Sequence, residues 1–269
     1  MDKKILAIIA VVAVIGLIIA GVAIVMANGS QGKTINSIDD LKGATIAVEN
    51  GTTGDILMTE LYEQSGDATV KRYTTYPDAF MDLKNKKVDA IVMDKAPAEA
   101  YVKSYDGVKI LSDKFDTDPE EYGFVFKKGN TSLQTSFNTA LATLKANGTI
   151  TNIEKYWADH LNGEADPFIT ETGTGTLIKV GTSPDFPPYD AMYGTKYTGI
   201  DMDIVRAVCN ELNYRVSFVQ YDFESIIPAI NSDAIDVGAS GFSITPERAE
   251  TVLFSSAYTT TEQVVVVRA

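Results

Sequence analysis

One pattern restricts the fold of this chain more than any other, and it is written twice. At 80–94 a helical spacing through Phe80, Met81 and Leu83 leads across a polar turn into Val88-Asp89-Ala90-Ile91-Val92-Met93 and stops at Asp94. At 226–240 a second helical segment leads across a polar turn into Ile235-Asp236-Val237 and stops in the small polar residues up to Ser240. Short apolar runs bounded by turns and fed by a helix are the mark of buried strands in an α/β sheet. Two such units in 269 residues, 45% of them hydrophobic, predict two α/β lobes. In sheets of this kind ligands lie outside the carboxyl ends of the strands, so facing lobes would grip a ligand from both sides.

The flanking segments fit the same scheme. Strands are expected at 44–49, 69–73, 88–94, 108–111 and 122–126, with helices through Leu57, Leu61 and Tyr62, over 77–86 and over 96–103. Two helices follow, at 132–146 and 150–160, broken by Asn147-Gly148. Residues 162–176 turn to Gly, Thr and acids around Pro167, the composition of a linker. The α/β pattern then restarts, with strands at 178–181, 214–219 and 235–239 and helices at 203–212 and 224–231.

Residues 5–27 form an uninterrupted apolar run preceded by Lys3 and Lys4, long enough to cross a bilayer. It exceeds a usual signal-peptide core, although Val25-Met26-Ala27 would serve as a cleavage site. An N-terminal transmembrane helix over 1–32, acting as anchor or signal, is therefore expected, with the rest of the chain outside the cytoplasm. A net charge of -13 argues against a nucleic-acid partner, which needs clustered Lys and Arg. One Cys and one His exclude an internal disulfide and leave structural zinc short of ligands. Cys209 sits among Val205, Val208 and Leu212 at helical spacing, a core position.

Chemistry concentrates at Gly238-Ala239-Ser240-Gly241-Phe242-Ser243-Ile244-Thr245-Pro246-Glu247-Arg248. It reads as a strand end, a tight loop and a helix capped by Thr245 with Pro246 in its first turn. Backbone N–H groups, hydroxyls and one Arg fall within short reach, as a carboxylate ligand requires. An ordinary capped helix with a surface Arg beside Glu247 satisfies the same pattern.

Several further stretches resemble one known family. Val180-Gly181-Thr182-Ser183-Pro184-Asp185-Phe186-Pro187-Pro188-Tyr189, Tyr197-Thr198-Gly199-Ile200-Asp201-Met202-Asp203, Ile226-Ile227-Pro228-Ala229, the 238–248 motif and Gln263-Val264-Val265-Val266-Val267-Arg268 resemble the N-terminal half of the polar amino-acid-binding proteins of ABC importers, extracellular solute-binding protein family 3. Ser37-Ile38-Asp39-Asp40-Leu41-Lys42-Gly43, Gly51-Thr52-Thr53-Gly54, Val88-Asp89-Ala90 and Glu121-Tyr122-Gly123 resemble its C-terminal half. Here the second half precedes the first, which looks like a circular permutation.

The resemblance implies a two-lobed, type II periplasmic-binding-protein-like α/β fold with a ligand cleft between lobes. On this mapping 33–121 is lobe two, 122–161 a hinge strand and helices packed on lobe one, 162–176 the linker joining the old termini, and 177–269 lobe one. Only the crossover near 122–125 would remain covalent, which predicts a looser hinge. By similarity, Arg248 would take the ligand's α-carboxylate, helped by Ser243 and Thr53, and Asp94 its α-ammonium. Gly241 and Ser240 would stand beside the ammonium, and Phe186 and Phe223 would bracket the side chain. Relatives that bind basic amino acids carry an acid where this chain has Ser183, which implies a polar or neutral L-amino acid, though Glu49 or Asp185 could substitute. The implied activity is capture and delivery to an ABC-transporter permease, with no catalysis, cofactor or metal. An amino-acid-sensing input domain, or a dehydratase of cyclic acids on the same fold, is the alternative.

Overall fold

The computed structural model describes residues 32–269. The proposed membrane helix at 5–27 lies outside them, and among the described residues no helix is long and apolar enough to cross a membrane. The chain runs β1 (Thr45–Glu49), α1 (Thr53–Met58), β2 (Thr69–Tyr73), α2 (Tyr76–Lys84), β3 (Ala90–Asp94), α3 (Lys95–Ser104), β4 (Val108–Ile110), β5 (Glu120–Tyr122), β6 (Val125–Lys127), α4 (Thr131–Ala146) and α5 (Thr149–Ala158). It continues through β7 (Leu177–Thr182), a hairpin of β8 (Ala191–Tyr193) and β9 (Lys196–Thr198), α6 (Ile200–Glu211), β10 (Arg215–Gln220), α7 (Phe223–Asn231), β11 (Val237–Gly238), α8 (Pro246–Thr251), β12 (Val252–Phe254), β13 (Thr259–Thr261) and β14 (Gln263–Arg268).

Two five-stranded sheets result, ordered β2-β1-β3-β14-β4 and β10-β7-β11-β6-β12. In each, the strands fed by βα units pair in parallel, β2-β1-β3 in one and β10-β7-β11 in the other. Their inner strands are buried on both faces, as at Ala90–Asp94, where every residue is covered. The segment expected as one strand at 122–126 divides at Gly123. β5 pairs with β13 in a two-stranded ribbon, while β6 enters the second sheet. The backbone passes close to its neighbours there, since a Cβ on Gly123 would sit 3.1 Å from the Ile244 side chain and 3.2 Å from the Ser255 carbonyl oxygen.

The placement of β14 departs from the expected boundaries. The expected lobe one, 177–269, includes residues 263–268, yet β14 pairs antiparallel with both β3 and β4 in the first sheet. Its run of four valines, all buried, fills the space between those strands. The chain therefore passes between the sheets at 261–263 as well as at 122–125. The expectation of a single covalent crossover, and of a looser hinge following from it, is corrected accordingly.

Residues 162–176 also differ from a free linker. The Thr198 hydroxyl donates to the Gly163 carbonyl at 2.8 Å, Thr172 N–H to Asn210 Oδ1 at 2.8 Å, Thr174 N–H to Asn213 Oδ1 at 3.0 Å, and Gly175 N–H to the Asn213 carbonyl at 2.9 Å. At Gly173 a Cβ would lie 1.7 Å from the Tyr214 carbonyl oxygen, so only glycine permits this approach. The segment is a strap laid along α6 and the turn after it.

Asp203 is the anchor of the strap. Fully buried on α6, it accepts from Trp157 Nε1 at 2.8 Å, Phe168 N–H at 2.9 Å, Ile169 N–H at 3.2 Å and Arg206 Nη1 at 3.2 Å. Asp203→Ala leaves a buried indole N–H, two amides and a guanidinium without that partner, a loss of about 3–5 kcal/mol for a broken buried network. Urea denaturation of the variant is expected to show an unfolding free energy lowered by that amount, and a change below about 1 kcal/mol would exclude this role.

Candidate functional site

The loop–helix motif forms as its residues dictate. Thr245 is extended and its hydroxyl accepts the Arg248 N–H at 3.2 Å, while Pro246 occupies the first turn of α8. The cap turns Arg248 inward, so that it is only 9% exposed. Nη1 donates to the Ser243 carbonyl at 2.9 Å, and Nη2 reaches across to the Gly51 carbonyl, also at 2.9 Å. Its guanidinium lies 5.4 Å from the Phe223 ring centre and 5.6 Å from that of Phe242. Among the described residues no carboxylate forms an ion pair with it. Burial pulls the guanidinium below its ordinary value, partly offset by the charges of Glu120 and Asp94.

Arg248 opens onto a small cavity between the carboxyl ends of the two sheets. All nine residues singled out in the sequence line it: Arg248, Asp94, Ser243, Gly241, Ser240, Thr53, Phe186, Phe223 and Ser183. Glu49, Thr52 and Asp185 complete the lining. Thr53 begins α1 behind a cap in which Thr52 Oγ1 accepts the Asp55 N–H. Ser240 and Ser183 brace each other, as the Ser183 N–H donates to Ser240 Oγ at 3.1 Å and Ser240 Oγ donates to Asp190 at 2.7 Å.

Asp94 stands at the N-cap position of α3, yet its side chain makes no capping bond. It accepts instead from the Tyr122 hydroxyl at 2.7 Å. Burial, followed by the charge of Glu120, raises its carboxyl to about 7, and the Tyr122, Gln263 and Thr261 side chains hold it from rising further. Gly241 has φ +56, and a Cβ there would meet the Phe186 ring at 2.6 Å. Its N–H donates to Asp201 Oδ2 at 2.9 Å, while the Tyr258 hydroxyl holds Oδ1 at 2.7 Å. Phe186 stacks on Tyr76 at 6.0 Å and Phe223 on Phe242 at 4.6 Å.

The supporting groups Tyr122, Tyr76, Asp190 and Asp201 were not singled out as site residues. Asp201 lies in the quoted Gly199-Ile200-Asp201-Met202-Asp203 stretch, and an acid buried in an apolar helix is the signal that could have found it. The two sides of the cavity touch directly, since Asn50 Nδ2 donates to Glu224 and the Tyr76 N–H to Asp185 Oδ2 at 3.0 Å. Cys209 is buried in α6. Among the described residues no group of three His, Cys, Asp or Glu side chains could hold a metal ion.

The family model of the bacterial extracellular solute-binding proteins, family 3, matches residues 22–160 and 178–269. The chain belongs to this family. Among curated relatives it is 33% identical over 133 residues to the putative ABC transporter arginine-binding protein 2 of Escherichia coli K12, covering 48% of this chain and 53% of that protein. It is 29% identical over 140 residues to the L-cystine-binding protein TcyJ of the same strain, covering 52% and 50% respectively. The chain thus spans about half the length of the curated relatives it matches. Among solved structures, an ancestral arginine-binding protein bound to glutamine is 37% identical over 29% of this chain and 35% of its own, with a TM-score of 0.28.

The buried acids around the cavity set a pH dependence. Burial raises the carboxyls of Glu49, Asp94, Asp185, Asp190 and Asp201, and the neighbouring Asp201 charge raises Asp190 further. The native state therefore holds these protons more tightly than the unfolded chain, whose carboxyls titrate near 4. Stability from them is present at acidic pH and is lost as pH rises toward about 7 and beyond. Calorimetry without added ligand is expected to give a Tm higher at pH 5.5 than at pH 8 by at least about 2 °C. A Tm that rises over this interval would contradict the assignment.

Proposed function

We propose that this chain is an extracytoplasmic solute-binding protein that captures an L-amino acid by closure of two lobes and delivers it to the permease of an ABC importer. Arg248 carries this reading: a buried guanidinium bonded to two backbone carbonyls, with no ion-pair partner among the described residues, lines one cavity with a buried Asp94. A zwitterion supplies what both lack. Its carboxylate accepts from Arg248, aided by Ser243 and Thr53, and its ammonium meets Asp94, which Tyr122 orients, beside Gly241 and Ser240. Ser183 borders this end of the site, and Phe186 and Phe223 flank the side chain. Each charge pair strengthens as closure expels water, and the closed form is selected because the ligand is held from both sides.

Isothermal titration of the protein with the common amino acids is expected to give saturable 1:1 binding by one or a few of them. Arg248→Ala should abolish binding of every one. Because a proton on Asp94 competes with the ammonium, affinity should fall as pH drops below about 7, approaching tenfold per pH unit where the free site is mostly protonated. Binding unchanged in Arg248→Ala, or stronger at pH 5 than at pH 8, would overturn the reading.

The order of the segments is read as a circular permutation. Residues 33–121 with β14 make lobe two, 122–161 with 177–262 make lobe one, and the strap at 162–176 joins ends that are free in relatives. A gene rearranged to encode 177–269 followed by 33–161 is then expected to yield a folded protein that binds the same amino acid. A product that neither folds nor binds would count against the permuted order. Residues 5–27 would tether the protein to the membrane; its release from membranes by alkaline carbonate would exclude an anchor.

A further inference from the structure

We propose that the cavity selects an amino acid whose side chain is positively charged, and that Glu49 is the residue that selects it. This rests on the amino-acid reading of the site. The ligand's own carboxylate and ammonium account for Arg248 and Asp94, which leaves Glu49 and Asp185 on the cavity wall with Arg248 the only basic residue of the lining. Asp185 is held in place, with Oδ2 accepting the Tyr76 N–H at 3.0 Å and Oδ1 the Ser183 hydroxyl at 3.0 Å. Glu49 is not. It is 3% exposed, and its Oε1 is buried with no hydrogen-bond partner among the described residues.

Such a carboxyl has two ways to be satisfied. It can stay protonated and donate to a neutral amide ligand, or it can ionise against a cation. Its surroundings favour the cation. Burial first, then the charges of Asp185, Asp94 and Asp222, raises Glu49, and burial also raises Asp185, with Asp222 adding to it. A protonated Glu49 would still leave Asp185 without a counter-charge, whereas one guanidinium or ammonium between them relieves both. The faces of Phe186 and Phe223 on the same cavity offer the ring surfaces that cations favour. Ser183 alone pointed to a polar or neutral side chain; Asp185, two residues on, and Glu49, from the end of β1 in the other sheet, supply the charge that Ser183 lacks.

The test is calorimetric titration of the full chain and of Glu49→Gln with L-arginine, L-lysine and L-glutamine. In the native sequence arginine or lysine is expected to bind at least about tenfold more tightly than glutamine, one charge-assisted contact. Glu49→Gln should remove most of that preference, and a far-ultraviolet circular dichroism spectrum and Tm matching the native chain show that the variant is folded. Glutamine binding as tightly as the basic amino acids in the native sequence would overturn the proposal and leave the amino-acid reading standing, and this comparison needs no variant. A variant that weakens all three equally would likewise overturn the role of Glu49. Binding by none of them, nor by any other common amino acid, would overturn both.

Discussion

The antiparallel seat of β14 between β3 and β4 is the constraint on which the rest depends. A strand in a sheet interior must satisfy N–H and C=O groups on both edges, and β14 does so through a five-residue register with β3 and a three-residue register with β4. Residues 263–268 are thereby locked into the sheet built by strands between residues 45 and 110. Gln263, the first residue of β14, pairs with Asp94, the last of β3, and its side chain donates to Thr53 and Glu120. The strand that closes the sheet also fixes the Asp94 end of the cavity.

From that seat the cleft follows. The β5–β13 ribbon hangs between the sheets, and Tyr122 at its end is fully buried against Phe186, Tyr189 and Tyr258. Its hydroxyl points at Asp94. Behind the cavity, Asp190 and Asp201 hold Ser240 and the Gly241 N–H, so the loop before α8 is positioned by buried carboxylates rather than by apolar packing alone. Acids carry much of the geometry on both sides of the cavity.

Much of this was legible in the sequence because local rules govern it. Thr245-Pro246 specifies a helix start wherever it falls, and the end of that helix's first turn sets where Arg248 points. The repeated helix–turn–strand units predict parallel strands whose ends gather the nine residues at one cavity. Register and partnership were not legible. Gln263-Val264-Val265-Val266-Val267 reads as a buried strand, but a run apolar on both faces carries no alternation to say which sheet will accept it. Glu49 was legible as a candidate acid, but Ile46, Ala47 and Val48 before it are all buried and give no face to say where its side chain would lie. Tyr122 to Phe126 read as one strand because the division at Gly123 follows from partners far away in sequence, β13 for β5 and β11 with β12 for β6.

The strap at 162–176 has the composition of a flexible tether and the hydrogen bonding of a structural element. Proteases cut backbone that can be drawn out over several consecutive residues, and amide hydrogens exchange only where their bonds open. Here the bonds to Asp203, Asn210 and Asn213 recur every few residues and end on α6 and the turn after it, so the strap opens only when these let go. Its cleavage and exchange would therefore report the unfolding of the lobe beneath it, and the junction between the two halves of the chain is as durable as the helix that carries it.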